Sequence, residues 1–577
     1  MCKFPSDMRY PTKEPGLATK YTHYPAELDG KCLYCGSELE EAYVTAGHRY
    51  KDFSGDVNEI RYLMRCTNPE CQLYGVPYNP EPSGALPFKQ FSLAVWRWVG
   101  EEAKLFNQNP PQICDRAMQT YNLSISENTV RNYIDAIDVL VANEIDAKTL
   151  KMLLVQGIIL LALDGQQPEE NGKALWIFTD LITSRVLHVA VLSSADSETL
   201  HGIVEGILQR YHVKLAGMVS DKQNNLTKLH DDWYPGAPHQ YCHMHFLQNM
   251  WNHVEVKDTG LHQQLSKGVK HLYVASASKQ AKVNLGARGK VPVREAFGGV
   301  DRDLRKILKT RTKKFEHLGG VETYDELAAY AAQLEGAAAE VGGEGAGPEL
   351  LRTTAASIRT LLTEAYEARE DCQYLGAHFQ EIRAWLGKEC PSKGSKLSAG
   401  DRLFKRLWAE VKGHGGVTRR EDLRTFAPHK GTAWEKVLQE FARLYDSYRG
   451  GLFAYYDLPA SIRSNARMEQ AIGQEKGRLR HKSGKSNVAS QVRVRGEFEL
   501  KELHAGKEEV KGIIQRMGPH YSAADLAAGL QQLASRRHEE SEGWRGKKIL
   551  AGLREVIDIL RDTRGIGVEP LEKVMED

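Results

Sequence analysis

The chain predicts a multidomain α+β protein. A cysteine-stapled module comes first, then a short helical domain, then an α/β core interrupted by a large all-helical insertion, and finally a helical C-terminus. Three observations predict this. Four cysteines pair up within the first eighty residues, short apolar runs fill residues 157–221, and apolar residues recur at helical spacing after residue 253. At 577 residues the chain suggests about three or four domains. Hydrophobic content of 41% and charged content of 26% are those of a soluble globular protein. A net charge of +2 means that any nucleic-acid surface is a local patch, not a global field. No apolar run reaches the roughly 18 residues of a membrane span, and MCKFPSDMRYPTK lacks the apolar stretch of a signal peptide. Nine cysteines in so long a chain build no dense disulfide framework. The clustered four fit metal in a reducing compartment, so the expected location is cytoplasmic, nucleoid-associated if the source is prokaryotic.

Residues 1–80 hold Cys32 and Cys35 in KCLYCGS, and Cys66 and Cys71 in RCTNPECQLYG. A C-x2-C pair and a C-x4-C pair supply the four thiolates of one tetrahedral Zn²⁺. Four thiolates leave no open coordination position, so such a zinc is structural. TAGHRYKDF and NEIRYLMRC between the pairs suit the strands of a zinc ribbon; scattered free cysteines are the alternative. Residues 81–150 begin with a Pro-rich connector and continue as helices over Phe91–Phe106 and Pro111–Tyr121, with a third starting at Ser126. If the last two form a helix-turn-helix, Asn128, Thr129, Arg131 and Asn132 open the helix that enters the major groove. An ordinary three-helix bundle would read the same way.

Residues 151–252 form the first part of the core. GIILLALDG ends a strand at Asp164; further strands follow at Ala174–Asp180 and Arg185–Leu192. A helix spans Ser197–Tyr211, and AGMVSDKQ ends another strand at Asp221. Carboxylates held rigidly at strand ends suit Mg²⁺, which takes oxygen ligands, although Asp is also common there because it favours turns. After the short strand Pro238–Tyr241 come Cys242 and His245 in C-x2-H spacing. That motif is either half of a metal site or simply the start of a helix.

Residues 253–450 are the helical insertion, with basic runs and an Ala/Gly-rich stretch, Glu335–Gly347, that predicts a flexible loop. Its basic faces either grip DNA or are merely solvated. Residues 451–490 carry a third acid, Glu469, in RSNARMEQAIGQEKGRLRHKSGKS. On a helix Glu469 shares a face with Gly473, Lys476 and Arg480, and Arg478, Lys482 and Lys485 extend the basic patch. Glu475 is the competitor for the role, and a solvated amphipathic helix is the plainer alternative. Residues 491–577 are helical, mixed in charge and suited to oligomerisation.

Three strands, a helix and a strand bearing a second acid resemble an RNase H-like core, as found in DDE transposases. The C-x2-H motif, the helical insertion, and an Asn followed by Met-Glu-Gln with a downstream Arg-rich segment resemble the Mutator-like class and its bacterial insertion-sequence relatives. The resemblance covers residues 157–250 and 460–485. It implies a mobile-element enzyme whose catalytic acids Asp164, Asp221 and Glu469 hold two Mg²⁺, with Mn²⁺ as a substitute. Cys242 and His245 would lie near that site. The N-terminal modules would bind double-stranded terminal inverted repeats. Asn128, Thr129, Arg131, Asn132, Lys476, Arg478, Arg480 and Lys482 would contact element or target DNA, in a homo-oligomer, with no membrane involved. A transposase-derived DNA-binding regulator and an RNase H-like structure-specific DNA nuclease are the alternatives.

Overall fold

The structure is a computed structural model. It describes residues 17–81, 83–85, 89–166, 174–276, 282–284, 290–292, 298–309, 313–341, 346–412, 433–484, 488–518 and 526–541. It is a mixed α+β protein, 63% helical, and among the described residues no helix is long and apolar enough to cross a membrane. Two compact units emerge. The first comprises Met1–Ile159, Leu163–Lys214 and Arg467–Asp577, the second Leu160–Ala162 and Leu215–Ala466.

In the first unit, a small sheet is built on one long strand, β4 (Gly55–Cys66). It pairs in parallel with β1 (Leu17–Thr22) and antiparallel with β2 (Leu39–Val44) and β3 (His48–Asp52). Helices α1 (Leu93–Lys104), α2 (Pro110–Tyr121) and α3 (Glu127–Gln156) follow. Each starts where its sequence supplies a cap: Ser92, Asn109 in a capping box with Gln112, and Ser126, whose side chain accepts from the Thr129 N–H. The three share a core (Val99, Ile113, Val130, Ile137) that also takes in Val510, Ile513 and Ile514. These last come from α14 (Lys507–Arg516), which follows α13 (Ala489–Ala505). The helical domain expected at 81–150 is therefore closed by the C-terminal region. Its expected boundary at residue 150 falls inside α3, which runs unbroken to Gln156.

Strands β5 (Ile158–Gln166), β6 (Ala174–Asp180), β7 (Arg185–Leu192), β8 (Lys214–Ser220) and β9 (His239–Tyr241) make a second sheet in the order β7-β6-β5-β8-β9. β6 and β7 pair antiparallel, β8 and β9 in parallel. Residues 159–163 of β5 are wholly buried, which is why this run is continuously apolar. Helix α4 (Ser197–Tyr211) connects β7 to β8.

In the second unit, α5 (Asn224–Trp233) separates β8 from β9, and β9 runs directly into the 34-residue α6 (His243–Ser276). The expected boundary at 252 thus lies inside one helix. The insertion is not all-helical, since β10 (Lys282–Asn284) and β11 (Lys290–Pro292) pair with Val283 opposite Val291. Each of these segments centres on a β-branched Val, which suits a strand better than a helix. Helices α7 (Gly298–Ile307), α8 (Gly319–Val341), α9 (Ala346–Gly387), α10 (Lys393–Lys412) and α11 (Ala433–Tyr448) complete it. The loop expected at Glu335–Gly347 is mostly helix. Alanines favour α8 as far as Val341, Leu334 and Ala338 bury themselves in the core, and α9 has begun by Ala346. Residues 342–345 lie outside the described residues. The next helix, α12 (Ala466–Ser483), belongs from Arg467 onwards to the first unit and carries Glu469.

Candidate active site and metal centre

The metal centre is the simplest piece of geometry. Cys66 is the last residue of β4 and pairs with Leu39 at the start of β2, so the sheet brings both cysteine knuckles to one end. One ligand atom from each of Cys32, Cys35, Cys66 and Cys71 falls within 4.8 Å of the others. Cys32 Sγ lies 3.8 Å from Cys71 Sγ, and Cys35 Sγ 3.6 Å from Cys66 Sγ. A tetrahedron with metal–sulfur bonds of about 2.3 Å has edges of about 3.8 Å, so the donor set and its spacing fit one zinc-type ion. Backbone N–H groups of Tyr34 and Leu73 point at the sulfurs of Cys32 and Cys71. The thiols are unequal. Burial pushes Cys66 up to about 12, whereas hydrogen bonds from the Ser37 side chain and backbone bring Cys35 down to about 6.

Asp164 lies inside β5, two residues before its end rather than at it, and is 9% exposed. Its neighbour Gly165 is packed so closely by Trp176 of β6 that a Cβ would come within 2.8 Å of the indole. Asp180, at the end of β6, is an acid with a structural job: it accepts from the N–H and hydroxyl of Thr183 and closes the β6–β7 turn.

Asp221 directly follows β8 and is 9% exposed. Gln223 Nε2 donates to its Oδ2 at 2.6 Å, and among the described residues Oδ1 has no hydrogen-bond partner. Burial raises its carboxyl above the usual carboxylate range, and nearby His245 opposes that rise. Backbone hydrogen bonds position the C-x2-H motif. The Cys242 N–H donates to Ser220 O at 2.8 Å and Phe246 N–H to Cys242 O at 3.1 Å. The fully buried Cys242 thus joins the end of β8 to the start of α6, and His245 stands in the first helical turn, near Asp221.

The other two histidines of HQYCHMHF hold the packing. His239 Nε2 is 2.8 Å from Ser220 Oγ, and His243 Nε2 donates to Leu452 O at 2.7 Å. Burial brings them down to about 3 and about 4, so both are neutral. Around them, residues 451–463 lie along β9. Tyr241 N–H donates to Gly451 O and His243 N–H to Arg463 O, and the buried Gln240 bridges Leu452 O and Tyr455 N–H. That contact returns the chain from the insertion towards Asn465 and α12.

Glu469 lies in the first turn of α12; its side chain is outside the described residues, as is all of Lys485. Its competitor Glu475 is fully buried. Among the described residues, neither of its oxygens has a hydrogen-bond partner. Burial and, next, the charge of Glu499 push it up to about 8. Of the basic residues, Arg478 and Lys482 reach Glu499 on α13 at 3.2 and 3.1 Å. Glu499 in turn belongs to a buried ion cluster with Lys104 of α1, and Lys104 contacts Asp138 of α3 and Glu502. Arg480 is exposed and Lys476 partly so. In the N-terminal helices, Asn128, Arg131 and Asn132 are exposed at the start of α3, with Arg131 paired to Glu127. Thr129 is half-buried, its hydroxyl 2.9 Å from that of Ser126.

No protein-family model matches this chain, and no curated protein matches it.

Proposed function

We propose that this chain is a DDE transposase of the Mutator-like or insertion-sequence type, with an RNase H-like core. The observation that carries the reading is Asp221. A buried carboxylate at the end of a sheet strand has an oxygen that no described group satisfies, and the C-x2-H motif stands beside it. A buried acceptor left unpaired is costly unless a ligand completes it. The order of three strands, a helix and a fourth strand bearing this acid supports the same fold. Asp164, Asp221 and Glu469 would hold two Mg²⁺; bound there, the pair would activate the attacking hydroxyl and stabilise the departing 3′ oxygen. His245 opposes the rise that burial imposes on the Asp221 carboxyl. The four cysteines would hold a structural Zn²⁺. Asn128, Thr129, Arg131 and Asn132 would read the terminal repeats, with Lys476 and Arg480 on phosphate. Arg478 and Lys482 are committed to Glu499 and serve the fold.

The test is strand cleavage with Mg²⁺ on a plasmid carrying the gene and its flanking DNA. Wild type should give new 3′ ends at the flanks, and Asp221→Asn should bind the same DNA without cutting it. Binding without cleavage by both proteins would replace this reading with a DNA-binding regulator.

A further inference from the structure

Next to Asp221 stands a cation that the reading above leaves unused. Lys222 is half-buried, and among the described residues it has no carboxylate partner. Its ammonium donates to Ser447 Oγ and lies 5.4 Å from the ring centre of Tyr448 and 5.9 Å from that of Tyr241. The cage has supports of its own. Asn249 on α6 donates to the Tyr448 hydroxyl at 2.8 Å, and Tyr241 is pressed by Gly451 so tightly that a Cβ there would meet its ring at 2.7 Å. Two aromatic faces and a hydroxyl hold an ammonium in place but do not neutralise it. Asp221 thus has a carboxylate oxygen with no hydrogen-bond partner among the described residues, and the next residue in the chain is a caged lysine. A phosphodiester brought to a metal at Asp221 would answer both, with the carboxylate serving as a metal ligand and the ammonium donating to a phosphate oxygen.

We propose that Lys222 is a substrate-contacting residue that binds a phosphate oxygen of the DNA strand presented to Asp221, and that Ser447 and Tyr448 hold it in position. This rests on Asp221 being a catalytic acid, and it gives the insertion a task, because Ser447 and Tyr448 lie at the end of α11.

The experiment compares wild type, Lys222→Met, Lys222→Arg and Ser447→Ala on the plasmid's flanking DNA. Met keeps the stem between the rings without the charge, and thermal melts show whether each variant is folded. In chelator, without metal, the slope of log affinity against log salt should fall by about one in Lys222→Met and recover in Lys222→Arg. With Mg²⁺ and saturating protein, Lys222→Met should cleave at least tenfold more slowly and Ser447→Ala should fall in between. A folded Lys222→Met with an unchanged salt slope overturns the proposal, whatever its cleavage rate. Wild type that binds but never cleaves overturns the transposase reading instead, and the slope still decides whether Lys222 meets phosphate.

Discussion

Glu475 is a carboxyl kept from water with no hydrogen-bond partner among the described residues, and its titration should be visible in stability. Unfolded, it ionises near its ordinary 4.5; folded, burial and Glu499 hold it at about 8. Between those values the folded state keeps a proton that the unfolded state has lost. Its contribution is therefore full below about 4.5 and is lost as pH rises to about 8. The loss is at most roughly 1.4 kcal/mol per pH unit, the slope set by a difference of one bound proton. Glu475→Gln mimics the protonated form at every pH. The variant should match wild type near pH 5 and melt at clearly higher temperature at pH 8. Parallel melting curves across that range would mean that the carboxyl is already ionised in the fold. The sequence placed Glu475 on a different face of α12 from Glu469. What it could not show was Glu499, which reaches this helix from α13.

At the scale of elements, α12 separates its cations by face. A helical wheel groups Lys476 with Arg480, but nothing in the local pattern says that Arg478 and Lys482 point at a carboxylate from another helix. The consequence is a split between two kinds of mutant. Arg478→Ala should lower stability by about 3 kcal/mol by breaking a buried pair, with little change in the salt dependence of DNA binding. Lys476→Ala should leave the melt unchanged and weaken binding in a salt-dependent way. If Arg478→Ala is fully stable yet fails to bind, the inward assignment is wrong. The cysteine module was legible for the opposite reason, since its geometry is written in local spacing. Its small core has Cys32, Cys66 and Cys71 with Leu39, Leu73 and Tyr78 packed against them, and a metal held by the four cysteines would staple it. Purified protein should contain one zinc per chain. Cys66→Ser should lose it and release the β2–β4 end, seen as faster protease cleavage within residues 30–75. A zinc-free wild type with intact protection there would remove the metal from the account.

At the scale of the whole molecule, local signals marked the core strands and the Ser126 cap, while long-range closure went unseen. α14 packs with α1–α3 from nearly four hundred residues away, and α3 and α6 each run through an expected domain boundary. Apolar periodicity says that a face is buried; it does not say by what. The three acids pose the same problem, because they come from distant parts of the chain and only their joint action would make them one site. Residues that act as a unit are strongly non-additive when removed. Asp164→Asn, Asp221→Asn and Glu469→Gln should each lower Mg²⁺-dependent cleavage by at least about a thousandfold. Any double variant should then be no worse than the single ones, while DNA binding stays within twofold throughout. Independent, multiplying losses would mean that the acids act separately. A cleaving Glu469→Gln beside an inactive Glu475→Gln would move the third role to the buried acid, and α12 would then have to open for catalysis.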